Sequence, residues 1–336
     1  MSFSRDLDFQ GRRVLVTGAA NGFGAAMARL FACQNARLVL ADIEAENVQA
    51  LALELGGDAH AFDQADAASI ERLAAAVGAV DVLVNNAGIL IPKSLLEMEP
   101  DEIRRLIDTD FVGVALMMRA FGRGMVERKR GVILNFSSQT AFAGGENRGI
   151  YAAAKAAVSQ LTRSAAVEWG PHGVRVLALA PGRCLTRMTV QTAAPGYAGD
   201  RGLARVPLGR WGTPDEIAKI AVMLCSDVAA YMTGETVIAD GGYVIGRVPT
   251  VLSPRCGTRA APRAAESQNG SPAWRAKPRY SRGAANRAKK ASNGAPRIRP
   301  ECRRSKNLRR PRMADGRGGH PRSSVASGCL APQLQP

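Results

Sequence analysis

Short β-branched runs alternate with longer amphipathic or alanine-rich stretches through the first 245 residues. This alternation constrains the fold more than any other feature, because successive strands separated by crossover helices pair in parallel. The predicted strands are 14–17, 38–41, 60–63, 82–85, 132–137, 174–180 and 236–239. The predicted helices are 23–35, 44–55, 67–77, 101–128, 151–170 and 214–226. Seven strands fit one doubly wound parallel sheet in three α/β/α layers. One helix start is marked in full: Thr213 supplies a capping hydroxyl, Pro214 the first helical position and Glu216 the reciprocal carboxylate.

The pattern stops near residues 248–253, and the charge changes there as well. Residues 1–250 carry 25 Lys and Arg against 26 Asp and Glu, whereas residues 251–336 carry 20 against 3. The whole net charge of +16 therefore comes from the last segment. Of its 86 residues 48 are Arg, Ala, Pro or Gly and only 10 are large apolar ones, too few to offset the entropy of ordering. The expectation is one catalytic domain over 1–250 and a disordered, low-complexity tail over 251–336. Such a tail offers phosphate only non-specific contact, and no zinc-finger spacing or aromatic platform accompanies it. Its 16 Arg against 4 Lys also suit translation of a GC-rich stretch in an unintended frame, or a solvated extension.

Six cysteines, at 33, 184, 225, 256, 302 and 329, stand singly without a C-x-x-C pair, which fits a reducing compartment. Residues 1–11 hold no apolar run of signal-peptide type, and no stretch has the apolar length of a membrane span. A cytoplasmic location is the expectation. His60, His172 and His320 are too scattered for metal-ligand spacing, so no metal is assigned.

Two features carry chemistry. After the first strand comes Thr17-Gly18-Ala19-Ala20-Asn21-Gly22-Phe23-Gly24, opening a helix. Glycines suit that turn because a Cβ would keep a pyrophosphate from the backbone N–H groups at the helix start, as in Rossmann-like folds. The second strand ends in Asp42, whose carboxylate suits ribose hydroxyls and repels a 2′-phosphate, favouring NAD over NADP. No Arg or Lys lies in the turn to counter that preference.

The second feature is Tyr151 and Lys155, which share a helix face at i, i+4 in an alanine-rich stretch. An ammonium beside a phenol stabilises phenolate and draws its pKa down, so the pair can exchange a proton with an alcohol. Ser138, at the carboxyl end of an apolar strand, lies where ligands gather in such sheets and can hold a carbonyl oxygen.

With these residues in place, residues 10–246 resemble the short-chain dehydrogenase/reductase family, in the form with a core of about 250 residues. The matching motifs are Thr17–Gly24, Asn85-Asn86-Ala87-Gly88, Ser138, Tyr151-x-x-x-Lys155, Pro181-Gly182 with Thr186, and Asp240-Gly241-Gly242. The resemblance implies that Tyr151 is the acid–base group and that Lys155 holds the nicotinamide ribose and depresses the tyrosine pKa. It implies that Ser138 orients the substrate oxygen, Asp63 meets the adenine, Asn86 supports the cofactor floor and Thr186 binds the carboxamide. The cofactor would lie on Gly18, Asn21, Gly22, Phe23, Gly24, Asp42, Asp63, Asn86, Ala87, Gly88, Tyr151, Lys155, Pro181, Gly182 and Thr186. The implied assembly is a homotetramer or dimer through paired helices 101–128 and 151–170.

One position departs from the family pattern. The family places Asn in N-x-x-G after the N-N-A-G strand, and this chain has Asp110-Phe111-Val112-Gly113. Asp110 accepts a hydrogen bond but offers no N–H donor, and its charge partly neutralises Lys155, letting the Tyr151 pKa rise. Cys184 reads as a small apolar filler. Arg148, Arg183 and Arg187 flank the pocket, where contact with an acidic substrate is the alternative to the commoner reading as solvated surface arginines. Residues 188–210 read as a substrate-covering loop, with Met188, Val190, Tyr197 and Leu203 suiting a medium-sized, partly apolar substrate. The function expected is an NAD-linked secondary alcohol dehydrogenase. Residues 207–218 resemble 3-oxoacyl carrier-protein reductases, the alternative within the family. A non-catalytic nucleotide-binding module tethered by the tail is the alternative outside it.

Overall fold

The computed structural model describes residues 6–192 and 203–246, so the tail over 251–336 and Tyr197 lie outside the described residues. The strands are β1 (Arg13–Thr17), β2 (Arg37–Asp42), β3 (Asp58–Ala61), β4 (Val82–Asn85), β5 (Gly131–Phe136), β6 (Val174–Pro181) and β7 (Thr236–Ala239). They form one parallel sheet in the order β3-β2-β1-β4-β5-β6-β7. Strand order reverses at β1, with β4 beside it, which opens a crevice at the carboxyl ends of these strands.

Helices cover both faces: α1 (Gly22–Cys33), α2 (Ala45–Leu55), α3 (Ala67–Val77), α4 (Pro100–Ile107), α5 (Gly113–Glu127), α6 (Gly149–Trp169), α7 (Arg187–Thr192) and α8 (Pro214–Cys225). The period-two alternation of the strands divides the core in two. Val14 and Val16 point with Leu38, Leu40, Val84 and Leu134 toward α1 and α8, where Met27, Phe31, Ala221 and Leu224 are fully buried. Leu15 points with Val39, Leu83 and Ile133 to the other face, against Met117 and Met125 of α5 and Val158 of α6. Filling both faces is what permits near-continuous apolar strands. The capping box at Thr213 forms as expected: its hydroxyl accepts from Glu216 N at 3.3 Å, and the Glu216 carboxylate accepts from Thr213 N at 2.9 Å.

Most boundaries fall within two residues of the expectation, and three of the differences bear on the site. Strand β3 covers Asp58–Ala61, so Asp63 lies in the following loop, and β5 ends at Phe136. Residues 101–128 are not one α-helix, because a π-helical turn over Asp108–Val112 separates α4 from α5. Amphipathic periodicity continues through such a turn, and only the backbone hydrogen bonding reveals it.

Candidate active site

The glycine turn is fastened to the loop after β4 before any ligand is considered. Thr17 Oγ1 accepts from Asn86 N at 3.1 Å and Ala87 N at 3.0 Å, while Asn86 Nδ2 donates to the carbonyls of Thr17 and Gly18, both at 3.0 Å. The packing leaves no room for side chains. A Cβ on Gly24 would stand 2.0 Å from the Gly18 carbonyl oxygen, and one on Gly18, where φ is +62°, would stand 2.8 Å from Ala87 Cα. Asp42 is held equally firmly, accepting from Ala20 N and Glu44 N at 2.9 Å each. Burial raises its pKa; backbone hydrogen bonds from Ala20 and Ile43 and the charge of Arg187 oppose the rise. A glycine turn at a helix start, facing a carboxylate at the end of the neighbouring strand, fits a nicotinamide dinucleotide. The Asn21 amide turns away from its own helix and donates to Glu44 at 3.2 Å, and Arg187 ion-pairs with the same carboxylate.

The chemical groups gather beyond β4. Ser137 Oγ, just past β5, donates to the Lys155 carbonyl at 3.0 Å and lies 2.8 Å from Ser159 Oγ, which fixes the rotation of α6 against the sheet. Deeper in, Asn135 Nδ2 donates to Thr162 Oγ1 at 3.0 Å, and Asn85 Nδ2 donates to Asn135 Oδ1 at 2.9 Å. Ser138 Oγ accepts from Thr140 N at 3.2 Å and from Thr140 Oγ1 at 2.9 Å, which leaves its own proton for the Tyr151 oxygen.

Lys155 ion-pairs with Asp110 at 3.1 Å, with the lysine side chain 4% exposed and the aspartate 0%. Its ammonium lies 5.7 Å from the Tyr151 ring centroid. The π-helical turn delivers Asp110, whose other oxygen accepts from Ile89 N at 2.7 Å. Gln64 steadies that turn, its Nε2 donating to Thr109 O at 2.8 Å and Ala87 O at 3.0 Å. Gly88 leaves space for the ion pair, since a Cβ there would stand 3.2 Å from both Asp110 Oδ2 and Lys155 Nζ.

The electrostatics carry the expected signs for Lys155 and Asp110, and burial adds a larger effect. Lys155, Ser138 and Arg148 do draw the Tyr151 pKa down, yet burial outweighs them and Asp110 reinforces it, so the phenol stands above its ordinary value. Burial pushes the Lys155 pKa down, but Asp110 and Tyr151 more than reverse that and hold it protonated. Asp110 is raised by burial, with Lys155 opposing.

A single cavity of about 1220 Å³ collects these groups. Gly18, Asn21, Gly22, Phe23, Asp42, Asp63, Asn86, Ala87, Gly88, Ser138, Tyr151, Lys155, Pro181, Gly182, Thr186 and Asp110 all line it. Of the expected residues only Gly24 stays behind the surface, closing the turn. Arg148, Arg183 and Arg187 line it too, with Arg187 exposed and the other two half-buried. Cys184 is buried and its thiol pushed up to about 11, in keeping with an inert filler. Gln64 and Thr140 escaped the sequence reading, since an isolated amide or hydroxyl carries no spacing signal.

A family model described as Enoyl-(Acyl carrier protein) reductase matches residues 18–244. D-threitol dehydrogenase of Mycolicibacterium smegmatis is 40% identical over 253 residues, which is 72% of this chain and 97% of that protein. A solved structure of a short chain dehydrogenase/reductase family protein is 36% identical with a TM-score of 0.66, covering 70% of this chain and 99% of that one. A gluconate 5-dehydrogenase from Burkholderia cenocepacia, solved with NADP and tartrate, is 32% identical with a TM-score of 0.68, covering 73% of this chain and all of that one.

Proposed function

The chain belongs to the short-chain dehydrogenase/reductase family, and from that premise we propose that it interconverts a secondary alcohol and a ketone with Tyr151 as acid–base group and NAD as preferred cofactor. The observation that carries this reading is the convergence of Ser138, Tyr151 and Lys155 in the cavity that the glycine turn also lines. When bound, NAD(P) supplies the hydride acceptor. The turn at Gly18–Gly24, with Asp42 and Asn86, would hold it, and the Lys155 ammonium would meet a ribose hydroxyl. Ser138 orients the alcohol oxygen by donating to it in place of Tyr151, with Thr140 fixing that hydroxyl. Tyr151 takes the alcohol proton during oxidation and returns it during reduction. Lys155 favours the phenolate that the step requires, and Asp110 keeps Lys155 charged.

D-threitol and gluconate dehydrogenases among the relatives support a polyhydroxylated substrate class. Asp42 supports NAD, since its carboxylate would face a 2′-phosphate. We read residues 1–250 as the complete catalytic unit and the assembly as a homo-oligomer. A chain ending at Thr250 should keep full turnover, and light scattering should report a dimer or tetramer. Among the described residues no helix is long and apolar enough to cross a membrane.

The deciding experiment follows reduced-cofactor absorbance with NAD or NADP over a panel of polyols. Tyr151→Phe should lower kcat/KM by about 10²–10⁴-fold, the range for a lost acid–base group. Turnover unchanged by that substitution would remove Tyr151 from the mechanism.

A further inference from the structure

The reaction as derived uses Lys155 and leaves the arginines of the same cavity without a task. Arg183 and Arg205 line it together with Trp211 and Tyr243. The Arg205 guanidinium lies 4.4 Å from the Tyr243 ring centroid, and its Nη1 donates to Tyr243 Oη at 3.2 Å. Arg183, just past the end of β6, approaches the same ring at 5.5 Å and the Trp211 ring at 5.8 Å. Tyr243 itself is buried. A single aromatic face thus attracts two cations, which gathers positive charge at this end of the cavity.

Among the described residues two nearby carboxylates are already engaged. Asp240 accepts from Gly242 N at 2.8 Å and Val244 N at 2.7 Å, forming the turn that presents Tyr243. Glu216 caps α8 and pairs with Arg210, which lowers its pKa to about 2. Among the described residues Arg205 has no carboxylate partner, and its buried Nε has no acceptor. A guanidinium with a buried N–H left over is the planar fork that matches a carboxylate. A third arginine, Arg148 at the start of α6, lies near enough to Tyr151 to favour its phenolate, so positive potential extends to the reacting oxygen.

We propose that Arg205 and Arg183, braced on Tyr243, form an anion subsite for the substrate, so that the preferred alcohol is a hydroxycarboxylate rather than a neutral polyol. This rests on the dehydrogenase reading and adds the substrate's charge to it. No covalent step is involved: the carboxylate accepts hydrogen bonds from the guanidinium while the hydroxyl meets Ser138 and Tyr151.

D-threitol, D-threonate and D-tartrate share one four-carbon skeleton and carry zero, one and two carboxylates. Their binding to the full chain with NADH is measured by titration calorimetry at fixed ionic strength, alongside NAD reduction by the first two. D-threonate should bind at least roughly tenfold more tightly than D-threitol, as expected for a charge-assisted hydrogen bond. Arg205→Ala should bring that ratio toward one, and Arg205→Lys, which keeps charge and stem, should leave it between the two. D-threitol binding as tightly as either acid, or Arg205→Ala and Arg205→Lys weakening all three ligands alike, would overturn the subsite. A wild-type chain that oxidises no alcohol would instead sink the dehydrogenase reading, while the calorimetric ratio still decides the subsite.

Discussion

At the β1–β2 end of the cavity the polar groups are held mainly by backbone: Asp42 by Ala20 and Glu44, and the Asn86 amide by the carbonyls of Thr17 and Gly18. At the β5–β6 end side chains hold side chains: Ser138 by Thr140, Lys155 by Asp110, Asn135 by Thr162. At the first end the contacts mostly join a side chain to main chain, as with Asp42, Thr17 and Asn86. The second end is an interlocked set in which one removal exposes a buried partner. Binding is thus built on main chain and chemistry on a side-chain network.

The sharpest way to break that contrast is Asp110→Ala, which strands a buried ammonium. It should cost about 3–5 kcal/mol, read as a fall in the urea midpoint, whereas Asp42→Ala should cost about 1–3 kcal/mol, that of losing an acceptor for two backbone donors. Equal losses would erase the distinction. Next, Gly24→Ala forces a Cβ against backbone that cannot yield, and overpacking of this kind costs about 1–3 kcal/mol or more. Thermal unfolding and NAD affinity should fall together. A smaller effect is expected from Asp42→Ala on cofactor choice, with the NAD-to-NADP ratio of kcat/KM falling by roughly tenfold as the repelling carboxylate is lost.

Asp110→Asn refines the comparison rather than breaking it. The phenol is held up by burial and by the Asp110 charge, and oxidation needs its deprotonated form. Removing the charge lowers the Tyr151 pKa, so the limb on which oxidation rises with pH should move to lower pH. Superimposable profiles for wild type and variant would show that Asp110 does not reach the tyrosine.

The two ends also differ in how far the sequence discloses them. The glycine turn and Asp42 are legible because their geometry is set by residues near one another in the chain. Tyr151 and Lys155 are legible because a helix imposes their spacing. The π-helical turn that brings in Asp110 leaves no trace in hydrophobic periodicity, and Gln64, which steadies it, is a lone amide in a loop. The net direction of the Tyr151 shift was hidden too, since burial is a property of packing and the sequence displays only the neighbouring charge. Arg183 shows the same limit: an arginine after a strand looks solvated until Trp211 and Tyr243 arrive from 28 and 60 positions farther on.

Glu44, in the loop after β2, and Arg187, in the first turn of α7, meet above the cleft from opposite banks of the sheet. A latch made of two partly exposed charges loosens as electrolyte is added, because mobile ions screen it. A nucleotide held by the glycine turn and Asp42 would lie in the cleft that this pair lines. Dissolved salt should therefore hasten its exit, and stopped-flow displacement of NADH at rising sodium chloride should show it, with Glu44→Gln already fast in dilute buffer.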